Sequence, residues 1–229
     1  MSYAVKEMFL TLQGEGLQAG RRAVFVRFAG CNLWSGREID RSGAACRFCD
    51  TDFVGIDGGG GGRFADARDL AAAARALWAP GLAADASAEE GTSNPVPHDD
   101  AGRPFVVLTG GEPMLQVDAS LVHALKAAGF EIAIETNGTL PVAEGIDWIC
   151  VSPKAGTDVV QRNGHELKLV WPQAGIDFEA LETWNFAYRL VQPMDGAAAG
   201  DTRAACIAFV MQHPRWRLSL QNHKIIGLR

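Results

Sequence analysis

Short apolar segments alternate with helical segments along this chain, and that alternation constrains the fold more than any other feature of the sequence. Seven segments have the composition of strands, residues 22–29, 105–108, 132–135, 146–152, 167–171, 188–191 and 216–220. Four have the apolar spacing of helices, residues 64–80, 117–128, 178–183 and 202–212. The alternation predicts a parallel sheet with helices outside it, in an α/β barrel or partial barrel. A chain of 229 residues suits a single domain, residues 1–229.

Polar residues directly follow five of these strands. They are Cys31 and the segments 109–112, 135–137, 152–154 and 192–195. Because the carboxyl ends of parallel strands meet at one edge of the sheet, we expect these groups to converge on the rim where barrel enzymes bind ligands. Each could be an ordinary loop residue, but five together predict a ligand site.

Three cysteines, Cys31, Cys46 and Cys49, stand in a C-x14-C-x2-C arrangement. Thiolates can hold zinc or an iron–sulfur cluster, and three protein ligands leave one position of a four-coordinate metal open to another group. An open position favours chemistry, while a structural zinc site with a distant fourth ligand is the alternative. Cys150 and Cys206 lie in apolar runs and are expected to be core thiols.

Charge and hydropathy exclude several classes of protein. The net charge of −6 argues against broad nucleic-acid binding, which needs clustered Lys and Arg. No apolar run approaches the roughly 20 residues of a membrane span, and the N-terminus lacks the apolar region of a secretion signal. We expect a cytoplasmic protein that binds neither nucleic acid nor membrane. In a reducing compartment its cysteines fit metal binding better than disulfides.

Two segments are interpreted as exposed. Residues 58–62 are consecutive glycines, and no Lys-Ser or Lys-Thr pair follows them as in a phosphate-binding loop. Residues 81–102 are polar and rich in Ala, Pro, Asp and Ser, which is typical of a mobile surface insertion.

Arg27 interrupts the strand at residues 22–29. A lone arginine on a strand usually faces solvent or pairs with a carboxylate. If this strand lines a barrel interior, however, Arg27 becomes an anion clamp, because its planar fork matches a carboxylate. The preceding TLQGEG, residues 11–16, has two glycines that let the backbone approach a ligand, although as a bare pattern it predicts only a turn.

Several motifs taken together resemble one family. They are TLQGEG at 11–16, VRFAGCNLWSG at 26–36, CRFCDT at 46–51, TGGEP at 109–113, ETNG at 135–138, SPK at 152–154 and LQNHK at 220–224. The chain is similar to the radical S-adenosylmethionine (SAM) superfamily, and within it to the 7-carboxy-7-deazaguanine synthases. The superfamily signature is usually C-x3-C-x2-C, whereas fourteen residues fill the first gap here.

The resemblance implies an incomplete TIM-like β/α barrel with an inserted cluster loop. Cys31, Cys46 and Cys49 would then hold a four-iron four-sulfur (4Fe–4S) cluster whose fourth iron binds SAM, and Thr51 would be a Mg²⁺ ligand. The residues it assigns to SAM are Phe48, Asp50, Gly111, Glu112, Ser152, Pro153, Lys154, Gln192, Pro193, Met194 and Asp195.

The resemblance also implies the reaction. The substrate would be 6-carboxy-5,6,7,8-tetrahydropterin, converted to 7-carboxy-7-deazaguanine and ammonia by hydrogen-atom abstraction at C6 and radical ring contraction, with SAM regenerated. No side chain is expected to act as a general base. The residues assigned to the substrate are Leu12, Gln13, Gly14, Glu15, Arg27, Thr109 and Arg229.

The partners implied are an external one-electron reductant of the flavodoxin or ferredoxin type and a second copy of the chain in a homodimer. Two other functions remain open at this point. One is a radical SAM activase of a glycyl radical protein, which would need a large docking face and no pterin. The other is a non-catalytic zinc-binding module, which metal analysis would separate from a cluster enzyme.

Overall fold

The computed structural model describes residues 2–78, 102–196 and 199–228. Its strands are β1 (Tyr3–Leu12), β2 (Arg22–Phe28), β3 (Gly62–Phe64), β4 (Phe105–Gly110), β5 (Glu131–Thr136), β6 (Trp148–Val151), β7 (Asn163–Trp171), β8 (Asn185–Pro193) and β9 (Trp216–Leu218). Its helices are α1 (Ala67–Trp78), α2 (Ala119–Ala127), α3 (Phe178–Glu182), α4 (Ala199–Gln212) and α5 (Asn222–Ile225), with 3-10 helices at Glu38–Gly43 and Pro113–Leu115.

The strands form one sheet in the order β3-β1-β2-β4-β5-β6-β7-β8-β9. From β2 to β9 every neighbouring pair is parallel, whereas β1 pairs antiparallel with β2 and with β3. The two outermost strands, β3 and β9, do not pair with each other, so the sheet stays open. This confirms the expected α/β class and the partial TIM-like barrel.

The predicted strands and helices are all present, with bounds that differ by a few residues. The first helix begins at Ala67, not at residue 64, because Asp66 Oδ1 accepts hydrogen bonds from the amides of Arg68 (2.8 Å) and Asp69 (3.1 Å) and so caps it. Its predicted end at Pro80 and the insertion at residues 81–101 lie outside the described residues.

β1 and β3 are not predicted from the sequence. β1 carries Lys6 and Glu7 within an otherwise apolar run, which hides its strand pattern. Both charges are satisfied by tertiary partners: Lys6 Nζ lies 2.9 Å from Asp52 Oδ2, and Glu7 pairs with Arg27. The TLQGEG segment therefore starts as the end of a strand instead of being only a turn.

Two clusters of buried apolar side chains hold the outer layer to the sheet. The larger joins α1 and α2 to β1, β2, β4 and β5, and the smaller joins α3 and α4 to β7 and β8. Polar residues such as Glu166 and Lys168 stay on the opposite, inner face. None of the helices in the described part of the chain is long and apolar enough to cross a membrane.

The glycine run at residues 58–62 is only partly exposed, which corrects its interpretation as an exposed segment. Gly59 and Gly60 are exposed, but Gly58, Gly61 and Gly62 are half-buried. The run hydrogen-bonds to β1, since the Gly58 amide donates to Lys6 O (2.9 Å) and the Met8 amide donates to Gly59 O (2.9 Å). The glycines are needed because the two backbones pass in close contact.

This packing predicts different outcomes for two neighbouring glycines. A Cβ on Gly61 would lie 2.2 Å from Lys6 O, whereas a Cβ on Gly59 would meet open space. We expect Gly61→Ala to lower the free energy of unfolding by about 1–3 kcal/mol, and Gly59→Ala to change it by less than about 0.5 kcal/mol. Urea unfolding followed by circular dichroism measures both. Equal values for the two variants would contradict the packing of this run on β1.

Candidate active site

A cavity of about 670 Å³ opens at the carboxyl ends of the parallel strands. Groups that follow β2, β4, β5, β6 and β8 line it, together with β1, the cysteine loop and the C-terminal segment. The predicted convergence of the five strand ends on one rim is therefore confirmed. The physical reason is that consecutive parallel strands carry their carboxyl ends to the same edge of the sheet.

All three cysteines line this cavity. Burial raises the pKa of Cys31, whose Sγ accepts a hydrogen bond from the Leu33 amide (3.4 Å). The hydrogen bond between Cys46 and Cys49 raises the pKa of Cys46 and lowers that of Cys49 to about 6, with further hydrogen bonds from Thr51 to Cys49. The pair thus favours the thiolate at Cys49, and the thiolate is the form in which cysteine binds soft metals.

The cysteines provide this cavity with a donor set made of thiols. Among the described residues, no three His, Cys, Asp or Glu side chains lie close enough together to hold one metal ion. Cysteine thiolates are the usual protein ligands of iron–sulfur clusters. An all-thiol donor set facing one cavity is therefore chemically suited to an iron–sulfur cluster.

The TGGEP turn packs against the loop that carries Cys31. A Cβ on Gly111 would lie 2.1 Å from Gly30 O, so only glycine permits this approach. The Glu112 carboxylate is fully buried and accepts hydrogen bonds from Thr136 Oγ1 (2.7 Å) and from the amides of Asn137 (2.8 Å) and Met114 (2.9 Å). Glu112 thus ties the end of β4 to the end of β5.

A buried lysine, Lys168 of β7, joins two glutamates on the cavity wall. Its Nζ contacts Glu15 and lies 3.5 Å from Glu135 Oε1. Burial alone would lower the pKa of Lys168, but the charges of Glu135 and Glu15 raise it well above its ordinary value. Burial would raise the pKa of Glu15, yet Lys168 and neighbouring hydrogen bonds lower it to about 2. The wall therefore presents a carboxylate that is ionised at neutral pH.

Gln13 is held by the same network. Its Nε2 donates to Glu135 Oε1 (3.0 Å), and its Oε1 accepts from the Glu15 amide (3.1 Å). Both ends of the side chain are engaged within the protein, so Gln13 shapes the turn that presents Glu15.

Arg27 lies on β2 beside Thr109 of β4, and both line the cavity. Its Nε donates to Glu7 Oε1 at 2.9 Å. Arg27 thus pairs with a carboxylate and also lines the cavity, while its role as an anion clamp stays a prediction. The stacked rings of Phe9 and Phe25, whose centroids are 5.7 Å apart, provide an apolar surface of the same cavity.

The C-terminal segment packs across the cavity. Gln221 Nε2 donates to Glu15 Oε1 (3.0 Å), and Lys224 Nζ donates to Asp50 Oδ2 (2.7 Å) and Asp195 Oδ2 (2.6 Å). His223 packs on Gly14, where a Cβ would lie 2.1 Å from its Nδ1. The LQNHK motif thus links TLQGEG, the cysteine loop and the end of β8.

The cavity gathers nearly all of the residues that the sequence singled out. Those that line it are Leu12, Gln13, Gly14, Glu15, Arg27, Cys31, Cys46, Phe48, Cys49, Asp50, Thr51, Thr109, Gly111, Ser152, Lys154, Gln192, Pro193, Met194 and Asp195. Glu112 and Pro153 do not line it, and Arg229 lies outside the described residues. The individual roles assigned to these residues stay predictions.

Sequence reasoning missed Lys6, Glu7 and Lys168 as cavity residues. Glu135 was expected at the rim but without a role. The signal that could have found Lys6, Glu7 and Lys168 is a charged residue inside an otherwise apolar strand, since such a residue is rarely buried unless it is paired. The partners themselves are distant in sequence and could not be named.

The fold and the site define an α/β enzyme whose cavity lies at the carboxyl edge of an open β/α barrel. No family model matches the chain. The 7-carboxy-7-deazaguanine synthases of Bordetella pertussis and Nitratidesulfovibrio vulgaris are 56% and 53% identical to it, over 100% of both chains in each case. That of Bacteroides thetaiotaomicron is 34% identical, again over 100% of both chains.

A solved structure agrees with these relatives. The crystal structure of QueE from Escherichia coli matches 97% of this chain and 95% of its own, with a TM-score of 0.66 and 28% identity. The chain belongs to the 7-carboxy-7-deazaguanine synthase family.

Proposed function

We propose that this enzyme converts 6-carboxy-5,6,7,8-tetrahydropterin to 7-carboxy-7-deazaguanine and ammonia, as a radical SAM enzyme with a 4Fe–4S cluster, SAM and Mg²⁺. One observation carries the proposal: three cysteines line the same cavity as the ionised Glu15 and the paired Arg27. The names of its full-length relatives support the product. We further propose that it acts as a cytoplasmic homodimer that receives electrons from a flavodoxin- or ferredoxin-type protein.

Substrate recognition is proposed to rest on two charges of opposite sign. A pterin edge carries adjacent N–H donors, and the carboxylate of Glu15 can accept them. The substrate carboxylate would meet Arg27, whose orientation is set by the 2.9 Å hydrogen bond from its Nε to Glu7. The flat heterocycle would lie between Glu15 and Arg27, and the stacked Phe9 and Phe25 rings would contact it.

SAM is proposed to lie between the cysteines and the ends of β6 and β8. Lys154 supports this location, because it is half-buried on the cavity wall and donates to the carbonyl (2.6 Å) and hydroxyl (2.8 Å) oxygens of Ser152. Its Nζ also lies 5.9 Å from the centroid of the Phe48 ring. A half-buried cation on the cavity wall can bind an anionic group such as the carboxylate of SAM.

When bound, the cluster and SAM would supply the one-electron chemistry that removes the hydrogen atom from C6 of the pterin. The protein's own part is to hold the reacting atoms in line and to exclude water. The C-terminal segment, tied by Lys224 to Asp50 and Asp195, would close the cavity. No side chain is proposed as a general acid or base.

Turnover by anaerobically reconstituted protein tests this proposal. Protein with about four irons, incubated with SAM, dithionite, Mg²⁺ and the carboxytetrahydropterin, should yield 7-carboxy-7-deazaguanine without stoichiometric loss of SAM. The product is measured by liquid chromatography and mass spectrometry. A colourless protein with stoichiometric zinc and no turnover would instead identify a zinc module.

Thr51 is proposed as the Mg²⁺ ligand, and its variant should change the metal response. The Thr51 hydroxyl hydrogen-bonds to Cys49, which leaves its oxygen lone pairs for a metal. We expect Thr51→Ala to raise the Mg²⁺ concentration for half-maximal turnover by about tenfold or more, while Thr51→Ser retains the normal response. An unchanged Mg²⁺ titration in Thr51→Ala would remove Thr51 from the site.

A further inference from the structure

The fourteen residues between Cys31 and Cys46 form a folded unit instead of a simple loop. The Ala45 amide donates to Leu33 O at 3.1 Å, and this closes the insertion at its base. Between these two residues lies the 3-10 helix Glu38–Gly43. The closing bond brings the residue before Cys46 to the residues that follow Cys31, so the insertion fixes how two of the three cysteines approach each other.

Trp34 anchors this insertion to the rest of the protein. It is buried, its ring packs edge-on against Phe53 with centroids 5.6 Å apart, and its Nε1 donates to Arg37 O (3.1 Å). Phe53 is buried as well, and its carbonyl accepts from the Gly30 amide (3.1 Å). Phe53 thus contacts the chain both before Cys31, at Gly30, and after it, at Trp34.

Arg41 connects this anchor to the other two cysteines. Its guanidinium carbon lies 4.0 Å from the centroid of the Trp34 ring. NH1 donates to the carbonyls of Arg47 (2.9 Å) and Cys49 (3.1 Å), and Nε donates to Glu38 Oε2 (2.7 Å). A planar guanidinium can make all of these contacts at once because its donors point in fixed directions. Arg41 itself does not line the cavity.

We propose that Arg41 is a positioning residue, which holds the Cys46–Cys49 segment in the geometry that binds the cluster before the cluster is present. The proposal rests on the cluster assignment made above. Side chains that orient metal ligands without touching the metal commonly change metal affinity when they are removed. The insertion is longer than the usual gap between these cysteines, but it is already folded. Ordering the cysteines on cluster binding therefore costs less entropy than it would with a flexible loop of the same length.

The test compares Arg41→Ala and Arg41→Lys with Arg37→Ala in the full-length protein. Arg37 is a suitable control because it lies in the same insertion, is 75% exposed, and pairs only with Asp40 at 3.6 Å among the ion pairs of the described chain. The first measurement is the rate at which the reconstituted protein loses its visible cluster absorbance to an iron chelator. We expect Arg41→Ala to lose it about tenfold faster than the wild type, Arg41→Lys to be intermediate, and Arg37→Ala to match the wild type.

A second measurement uses the metal-free protein. Cys46 lines the cavity but is only 6% exposed, so opening of the segment increases its access to a thiol reagent. Mass spectrometry of the labelled protein should show that Arg41→Ala labels at Cys46 about tenfold faster, with an unchanged thermal unfolding temperature, whereas Arg37→Ala labels at the wild-type rate. Labelling and chelation rates in Arg41→Ala equal to those of the wild type or of Arg37→Ala would overturn the proposal. Failure of the wild type to take up iron would instead overturn the proposed function, and the labelling result would still stand.

Discussion

Lys168→Met is expected to lower the free energy of unfolding by about 3–5 kcal/mol at neutral pH, because it leaves buried carboxylates without their cation. Glu15 and Glu135 both depend on Lys168, which is only 6% exposed. Methionine has a similar length and leaves no large cavity, so the decrease in the free energy of unfolding reports the removal of the positive charge. Turnover should disappear as well, since Glu15 would no longer be held ionised.

The pH dependence of this loss has a definite sign. In the wild type the pKa of Glu15 is lowered to about 2 from an ordinary 4.5, so its stabilisation is complete above 4.5 and is lost as the pH falls toward 2. In Lys168→Met burial, the largest single cause, is opposed only by the hydrogen bonds from Gln221 and Gln192. We expect it to raise the pKa of Glu15 above its ordinary value, so that the ionised carboxylate costs stability as the pH rises. The difference between wild type and variant should therefore be larger at about pH 7.5 than at about pH 5.

Urea unfolding at both pH values measures this, and Lys126→Met is the matched control. Lys126 pairs with Asp147 at the surface, where both side chains are more than a third exposed, and its loss should cost less than about 1 kcal/mol. If the two variants lose the same stability, the cavity wall does not hold a buried ionic network.

Each of Cys31→Ala, Cys46→Ala and Cys49→Ala is expected to abolish turnover and to prevent assembly of a complete cluster. The reason is that each thiolate would bind a separate iron, so that no remaining ligand can replace it. Iron and sulfide analysis after anaerobic reconstitution measures the effect, with product formation as the second readout.

Cys206→Ala is the control for these variants. Cys206 is buried in the smaller apolar cluster on α4, away from the cavity, and its Sγ lies 3.7 Å from Trp171 O. This variant should lose about 1 kcal/mol of stability and retain its iron. A variant of Cys31, Cys46 or Cys49 that keeps the full iron content would remove that cysteine from the ligand set.

The parallel part of the fold is predictable because its strands are buried on both faces and read as continuous apolar runs. The segments that became β4 and β5 show this directly. β1 is different, because Lys6 and Glu7 break its apolar pattern and are tolerated only through partners on other elements. Local composition cannot reveal such partners.

The functional site also has features that the sequence predicts and features that it does not. Motifs at strand ends, such as TGGEP and SPK, can be placed on one rim from topology alone, and they line one cavity. The orientation of Glu112 was not predictable from its position after two glycines. Its carboxylate faces Thr136 and Asn137 instead of the cavity, because three donors at the ends of neighbouring strands converge on it.

The sequence by itself determined the α/β class, the order of the seven parallel strands along the chain and the meeting of Cys31 with the TGGEP segment at one rim, because these follow from local periodicity and from the common direction of parallel strands. Only the tertiary structure decided that β1 and β3 extend the sheet in the antiparallel direction, that Lys168 holds Glu15 ionised, and that the long gap between Cys31 and Cys46 folds around Trp34 and Arg41. Those features depend on contacts between residues far apart in the chain, and the energy of a buried charge is set by the partners that surround it.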